Sequence, residues 1–367
     1  MARVLAVIED PGAANGMVGL EAALARTNIR LEIYATGTAS TYAPAIGLRV
    51  LNIADFPAVI PKDCALLAGT SENPDSVAFE LIRSAKTSGV PSFGFVDGPA
   101  NASLRFKGRS SAPLGHAPET LLVSDVMAKQ AFIALGFPAV NIITVGHPNL
   151  DRVRERKTAM DSEGQARLRS RLFPGIPANS KLLLFAAETS DGLNPAEFRR
   201  SSAYTLNGGG LRDGRTEICF EEVTLALALM AKPPSLVLRL HPKNTLRTFN
   251  AYRTRIAAIS QGGDPLEAVY ASDLVIGMTS VLLFEAAVMG KPTLSLTPRA
   301  SEAAWLSSIG LGLTRHVCTR TDLRDTLMTM LTVDEAPSVH AINDKVPPGA
   351  AMRMAAAITA RLGEGGS

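Results

Sequence analysis

Four short segments place reactive side chains at the ends of apolar runs. In Phe95-Val96-Asp97-Gly98-Pro99-Ala100-Asn101, Asp97 closes such a run and Gly-Pro turns the chain directly behind it. A carboxylate at the carboxyl end of a strand can act as general base toward a hydroxyl; the same residue types also build an Asx turn or a helix cap. Arg239-Leu240-His241-Pro242-Lys243-Asn244 ends a second run. Proline holds His241 extended, so the ring is set to donate to a phosphate, with Arg239 and Lys243 supplying positive charge. A satisfied structural histidine is the alternative.

The longest such segment runs over residues 271–293. A strand ends at Gly277, and Thr279 and Ser280 fall at the N-cap of the helix that follows. Free backbone N–H groups, two hydroxyls and the positive end of the helix dipole suit a phosphate there. Glu285, one and a half turns on, could reach ribose hydroxyls if it faces the same side. The alternative is an ordinary capped helix.

The fourth segment, Glu9-Asp10-Pro11-Gly12-Ala13-Ala14-Asn15-Gly16, follows the first strand. Its small residues let a ligand approach the backbone. It lacks the GxGxxG spacing, and no acidic residue closes a second strand in the way a dinucleotide site needs. A tight βα turn or a substrate-facing loop remains, the latter with Asp10, Gly12 and Asn15 toward an acceptor. Asn101 and the loop from Gly98 to His116, rich in Ser, Gly, Lys and Arg, would fold over the same substrate. Glu188 and Ser190 are donor-side candidates.

Short Val-, Ile- and Leu-rich runs alternating with longer amphipathic stretches position these groups, the pattern of βα units on a parallel sheet. Strands are expected at residues 3–8, 31–35, 49–53, 64–68, 92–96, 120–123 and 141–145, then at 181–186, 235–240, 274–277 and 293–296. Helices are expected at 16–25, 75–88, 126–135, 217–230, 245–259, 281–289, 321–331 and 350–362. Residues 151–171 are dense in charge and 173–177 are turn-rich, which reads as a boundary whose charges form a solvated helix face. The stretch 191–213, with its Gly208-Gly209-Gly210, reads as a long loop. The expected organisation is an N-terminal Rossmann-like acceptor domain (1–150), a linker (151–177), a C-terminal Rossmann-like donor domain (178–345), and a C-terminal helix and tail (346–367). Ligands of such sheets bind outside the carboxyl ends of the strands, here in the cleft between two domains.

Composition narrows the class. The 367 residues are 46% hydrophobic and 19% charged, so a disordered chain is excluded. With 37 basic and 34 acidic residues the net charge is +3, too small for a dedicated nucleic-acid binder. Three scattered cysteines show no disulfide or zinc spacing, as expected of a cytoplasmic protein. No run approaches the ~20 apolar residues of a membrane helix, and the N-terminal VLAVI is too short for a signal peptide. Nothing in the sequence fixes an oligomeric state.

The layout resembles the GT-B glycosyltransferase superfamily. The SDxxIGxTSxxxxEAxxxGKPxL run is similar to that fold's donor-binding segment. Val145-Gly146-His147-Pro148-Asn149-Leu150-Asp151 is similar to the GNPxxD segment that closes its first domain, which would make His147 a joint residue. Bacterial sialyl- and polysialyltransferases of this fold carry an acidic-acidic-Gly motif, a His-Pro motif and a Ser-Ser or Ser-Thr motif in that order. Val96-Asp97-Gly98, His241-Pro242 and Thr279-Ser280 follow the order, with Val96 in place of the first acid. The resemblance implies an inverting, metal-independent transferase with no cofactor beyond its nucleotide-sugar donor. The preferred donor is a CMP-activated nonulosonic acid and the acceptor a glycan or protein hydroxyl. Asp97 would be the base, with His241, Lys243, Thr279 and Ser280 at the donor phosphate. The same fold also implies alternatives: a nucleotide-sugar epimerase or hydrolase with Glu9, Asp10 and Glu188 around the sugar, a glycerol-phosphate transferase, or a non-catalytic nucleotide-sugar-binding protein.

Overall fold

The structure, a computed structural model, describes residues 2–189, 198–210, 212–333 and 336–364. The chain forms two compact units: Met1–Arg152 with Val346–Ser367, and Val153–Lys345.

In the first unit the described residues build a parallel sheet of β1 (Arg3–Ile8), β2 (Arg30–Ala35), β3 (Leu51–Asn52), β4 (Cys64–Gly69), β5 (Ser92–Val96), β6 (Thr120–Val123) and β7 (Ile142–Thr144). The spatial order is β3-β2-β1-β4-β5-β6-β7. Arg3 of β1 stands opposite Arg30 on one side and Cys64 on the other. β4, β5 and β6 are buried at every residue, which is why their sequences run apolar rather than alternate. Side chains of opposite parity serve opposite faces. Ala6, Ile8, Leu67 and Phe95 pack under α1 (Pro11–Asn15) and α2 (Leu20–Ala25), beside α3 (Ala39–Ala45). Leu5, Val7, Leu66 and Leu121 pack under α4 (Val77–Ser88) and α5 (Val126–Ala134).

The helix expected over 16–25 is broken. Gly19 has φ +70°, outside the right-handed region, so α1 ends before it and α2 starts after it. α1 itself begins early because Asp10 caps it and Pro11 suits its first turn.

The segment read as a linker is almost wholly helical: α6 (Pro148–Glu163) and α7 (Gln165–Leu172). Its charges are not all solvated. Arg169, 11% exposed, pairs with Asp273 at 2.8 Å and donates to the Ala271 carbonyl.

The second sheet comprises β8 (Leu182–Ala186), β9 (Ser235–Arg239), β10 (Ala258–Ser260), β11 (Leu274–Gly277), β12 (Thr293–Leu296) and β13 (Arg315–Val317). All are parallel, in the order β10-β9-β8-β11-β12-β13. The helices are α8 (Arg215–Ala228), α9 (Pro265–Ala271), α10 (Val281–Val288), α11 (Ser307–Gly310), α12 (Arg320–Thr332) and α13 (Val339–Lys345). Leu183, Phe185, Ile276 and Leu294 form a core with Phe220, Phe249 and Leu323. Edge strands β10 and β13 were not expected from sequence. Nor is 245–259 one α-helix: residues Leu246–Arg255 form 3-10 turns and β10 follows.

α14 (Ala350–Glu364) returns to the first unit, where Met354, Ala355 and Ile358 join its core. Asp151 accepts from the Gly349 and Ala350 N–H groups at its start, at 3.0 and 2.8 Å. Among the described residues no helix is long and apolar enough to cross a membrane.

Each sheet reverses its strand order at one place, between β1 and β4 in the first and between β8 and β11 in the second. Side chains beyond the strand ends near these reversals are where a doubly wound sheet takes its ligand.

Candidate active site

In the first unit the reversal is lined by carboxyl groups. Glu9 and Asp10 leave β1, and Asp97 leaves β5. Asp10 Oδ1 accepts from the Ala13 N–H at 2.9 Å as the N-cap of α1. Gly12 sits where any side chain would collide: a Cβ there would lie 2.3 Å from Asp97 Oδ2 and 3.4 Å from Asp10 Oδ1. Both carboxyl groups therefore crowd the same patch of backbone, and glycine is needed for them to reach it.

Their surroundings differ. Arg105 Nη2 lies 3.1 Å from Asp97 Oδ1, with the arginine side chain 10% exposed. The angle makes this a charge contact, not a hydrogen bond: among the described residues the buried Asp97 Oδ1 has no hydrogen-bond partner. Asp10 is held above the ordinary carboxyl range, first by burial, then by Asp97 and Glu9; the Ala13 N–H and Arg105 act the other way. Glu9 is 8% exposed. Its Oε1 accepts from the Val77 N–H at the start of α4 at 3.0 Å, while its buried Oε2 has no partner among the described residues.

Two partners of this group were not anticipated. Arg105 lies within the basic loop after β5 and was not singled out there. His147, read as a joint residue, is buried with its ring edge-on to Phe95, centroids 5.5 Å apart. Burial pushes its imidazole below the usual range against the pull of Asp97, Asp125 and Asp151. Its Nδ1 accepts from the Asn149 N–H at 3.2 Å, so the neutral ring carries its proton on Nε2.

The remaining residues read as acceptor-side are engaged elsewhere. Asn15 Oδ1 accepts from the Tyr42 hydroxyl at 3.2 Å. Asn101, at φ +54°, donates to Glu72 at 2.9 Å. His116 stacks on Phe79, centroids 4.6 Å apart. Its loop is pinned rather than loose, because Arg109 clasps Asp75 through two bonds of 2.5 Å.

In the second unit the reversal is bridged by Glu188, two residues beyond β8. Its Oε1 accepts from the Met278 and Thr279 N–H groups at 3.2 and 2.6 Å. Its Oε2 accepts from Thr279 Oγ1 at 3.1 Å and pairs with Arg215 at 2.8 Å. Arg215 opens α8 and is fully buried. It donates on to Thr279 Oγ1 at 3.1 Å and through Nε to Glu302 at 2.6 Å. Burial works against its charge, but Glu188 and Glu302 more than offset this and hold the guanidinium above its usual range. The Thr279 hydroxyl thus gives its proton to Glu188 and takes one from Arg215, so its hydrogen-bonding is committed within the protein. Glu188 is likewise a bridge between strands, not a free carboxylate.

Ser280 holds the position expected of it. It is the N-cap of α10, its Oγ accepting from the Leu282 N–H at 3.2 Å. His241 is half-buried after β9. Its Nδ1 accepts from the Lys243 N–H at 3.2 Å, which leaves Nε2–H as the donor. Burial lowers its pKa from the usual imidazole value, Lys243 adds to this and Glu188 opposes it. Arg239 does not join this group: its guanidinium is spent on Ser260 Oγ and the Gly262 and Gly263 carbonyls. Glu285 is buried on α10, 8% exposed, rather than presented to a ribose. Ser190 lies outside the described residues.

No protein-family description matches this sequence, and no curated protein matches it. Solved structures do. The UDP-GlcNAc 2-epimerase of Methanocaldococcus jannaschii superposes with a TM-score of 0.66 at 13% identity, over 98% of this chain and 100% of that one. The enzyme of the same name from Neisseria meningitidis, bound to UDP-GlcNAc, gives 0.62 at 13%, over 98% and 99%. A glycosyltransferase from Rickettsia africae gives 0.61 at 11%, over 98% of each chain. The fold is GT-B. At these identities the likeness shows the fold alone. The sialyltransferase-like branch, to which the three short motifs point, is not among these three neighbours.

Proposed function

We propose that the protein acts on a nucleotide-activated sugar, by epimerising or hydrolysing it. In the first unit, taken by itself, the carboxyl groups are placed to give and take protons. In the second, taken by itself, His241 Nε2–H, Ser280 and the start of α10 suit a nucleotide's phosphate. The observation that carries this reading is the pair Asp97 and Asp10. Asp97 has a buried oxygen without a donor and a guanidinium beside it, the setting of a base ready to receive a substrate proton. Asp10, crowding the same glycine, is raised above the ordinary carboxyl range by burial, then by Asp97 and Glu9. Two carboxyl groups in unlike surroundings can divide the work as base and acid. Removing one proton and returning another is what epimerisation or hydrolysis at a sugar requires, and the likeness to UDP-GlcNAc 2-epimerases supports it.

Transfer from a CMP-activated nonulosonic acid to an acceptor hydroxyl is the second reading. The order of Val96-Asp97-Gly98, His241-Pro242 and Thr279-Ser280 favours it, and it needs only Asp97 as base. Incubation with donor alone separates the two. Full turnover of a UDP- or CMP-sugar without acceptor is expected; turnover only after a glycan or protein acceptor is added would replace the first reading by the second. A thermal-shift screen with UDP, CDP, CMP and GDP identifies the base, because a ligand at ~100 times its Kd adds ~2.7 kcal/mol.

Asp10→Asn tests the acid. A carboxyl whose folded pKa is raised contributes stability below its unfolded pKa and loses it as pH rises through the folded value. At neutral pH the ionised group is therefore a burden on the fold. Asparagine keeps the N-cap without the charge. The variant is expected to melt no lower than the parent at pH 7, while its turnover falls and the high-pH limb assigned to Asp10 disappears from the rate profile. Unchanged turnover would remove Asp10 from the mechanism.

A further inference from the structure

We infer that Asn244 is a positioning residue for His241, tied through Glu188 to the β11–α10 turn, so that both halves of the phosphate site are set by one hub at the reversal of the second sheet. This rests on the reading above that His241 and the start of α10 hold a nucleotide's phosphate.

Glu188 leaves β8, the central strand, and is bonded to the turns that follow both of its neighbours in the sheet. On the β11 side its carboxylate takes the Met278 and Thr279 N–H groups. On the β9 side its backbone carbonyl accepts from Asn244 Nδ2 at 3.3 Å, and also from Thr216 Oγ1 at 2.8 Å. Asn244 in turn accepts the His241 N–H on Oδ1 at 3.2 Å, and its own N–H returns to the His241 carbonyl at 2.8 Å. The four-residue turn His241-Pro242-Lys243-Asn244 is therefore closed by Asn244 and anchored by the same side chain to Glu188. Inside it the Lys243 N–H bonds His241 Nδ1 and selects the Nε2–H form. Arg215, buried between Glu188 and Glu302, keeps the carboxylate from turning away.

This explains two departures from the sequence expectation. Thr279 and Glu188, both read as donor-side, are bonded to each other. The phosphate contacts instead fall one residue on, at Ser280, and across the reversal at His241. Asn244, the last residue of that motif, fixes the geometry of His241.

A double-mutant cycle tests this, because residues that act through one another are not additive. UDP and CMP binding are measured by calorimetry, with uridine and cytidine as phosphate-free controls, on the parent, Asn244→Ala, His241→Ala and the double variant. Asn244 is half-buried and outside the core, so Asn244→Ala is chosen over changes at fully buried Arg215. His241→Ala is expected to weaken nucleotide binding ~10- to 100-fold, the range of a hydrogen bond to a charged group. Asn244→Ala alone is expected to weaken it about tenfold, and by less than about twofold once His241 is gone. Nucleoside binding should stay within about twofold throughout. In 15N-histidine spectra, Asn244→Ala should convert His241 from the single Nε2–H form to a mixture of tautomers. If His241→Ala binds nucleotide as the parent does, the phosphate site itself is misplaced. If His241→Ala weakens binding but Asn244→Ala costs the same in both backgrounds, or leaves the tautomer unchanged, the positioning role is overturned and the phosphate site stands.

Discussion

Asp97→Asn is expected to lower turnover about 100-fold or more, the usual scale for a general base, and to leave nucleotide binding near that of the parent. The change is nearly isosteric, so the crowding at Gly12 is preserved. It removes the negative charge facing Arg105 and the lone pair of the one Asp97 oxygen that is buried without a donor. Steady-state rates on the nucleotide sugar, paired with calorimetry for the bare nucleotide, separate the two effects. A fall in affinity with turnover intact would place Asp97 in binding, and near-normal turnover would move the base to Glu9, whose buried Oε2 likewise lacks a partner among the described residues. The prediction holds for both readings of function, since a proton leaves a sugar carbon, a water or an acceptor hydroxyl in each.

Arg105→Lys would be no conservative control in that experiment. Besides its charge contact with Asp97, the guanidinium donates through Nε to the Ala100 carbonyl at 3.3 Å, and lysine has no planar fork with which to keep both contacts. The loop that carries Arg105 is thereby fixed to the strand end that carries Asp97.

Strand ends were legible because each follows from a local pattern: an apolar run, then Gly, Pro or a capping hydroxyl. Asp97, His241 and Ser280 are where that pattern puts them. Partners were not legible, because they are chosen by the folded sheet. Arg215 and Glu302 meet across 87 positions, and nothing near either residue signals the other. Thr279 and Ser280 are adjacent and chemically alike, yet one is sealed to Glu188 and the other caps α10; only the spacing of β8 and β11 decides which. Arg239 was grouped with His241 because they are two residues apart, but the strand ends between them and the arginine turns to the β10 edge. β10 itself was lost because Leu246, Phe249, Tyr252 and Ile256 imitate a helical stripe. Thr245, Thr248 and Asn250 lie among them, residues that compete with the backbone for its hydrogen bonds, and the segment settles for 3-10 turns.

The largest stability effect is expected at Arg215. Arg215→Ala strips the counter-charge from Glu188 and from Glu302, whose side chain is fully buried, and should destabilise the second unit by ~3–5 kcal/mol, the cost of leaving buried charge unpaired. Arg299 still holds Glu302 at 2.6 Å, which keeps the loss within that range rather than doubling it. The chain's one tryptophan, Trp305, has its ring 5.7 Å from the Arg215 guanidinium, so urea unfolding followed by its fluorescence reads this unit directly. A deficit under about 1 kcal/mol at pH 7 would mean that the Glu188 bridge across the second sheet does not depend on Arg215.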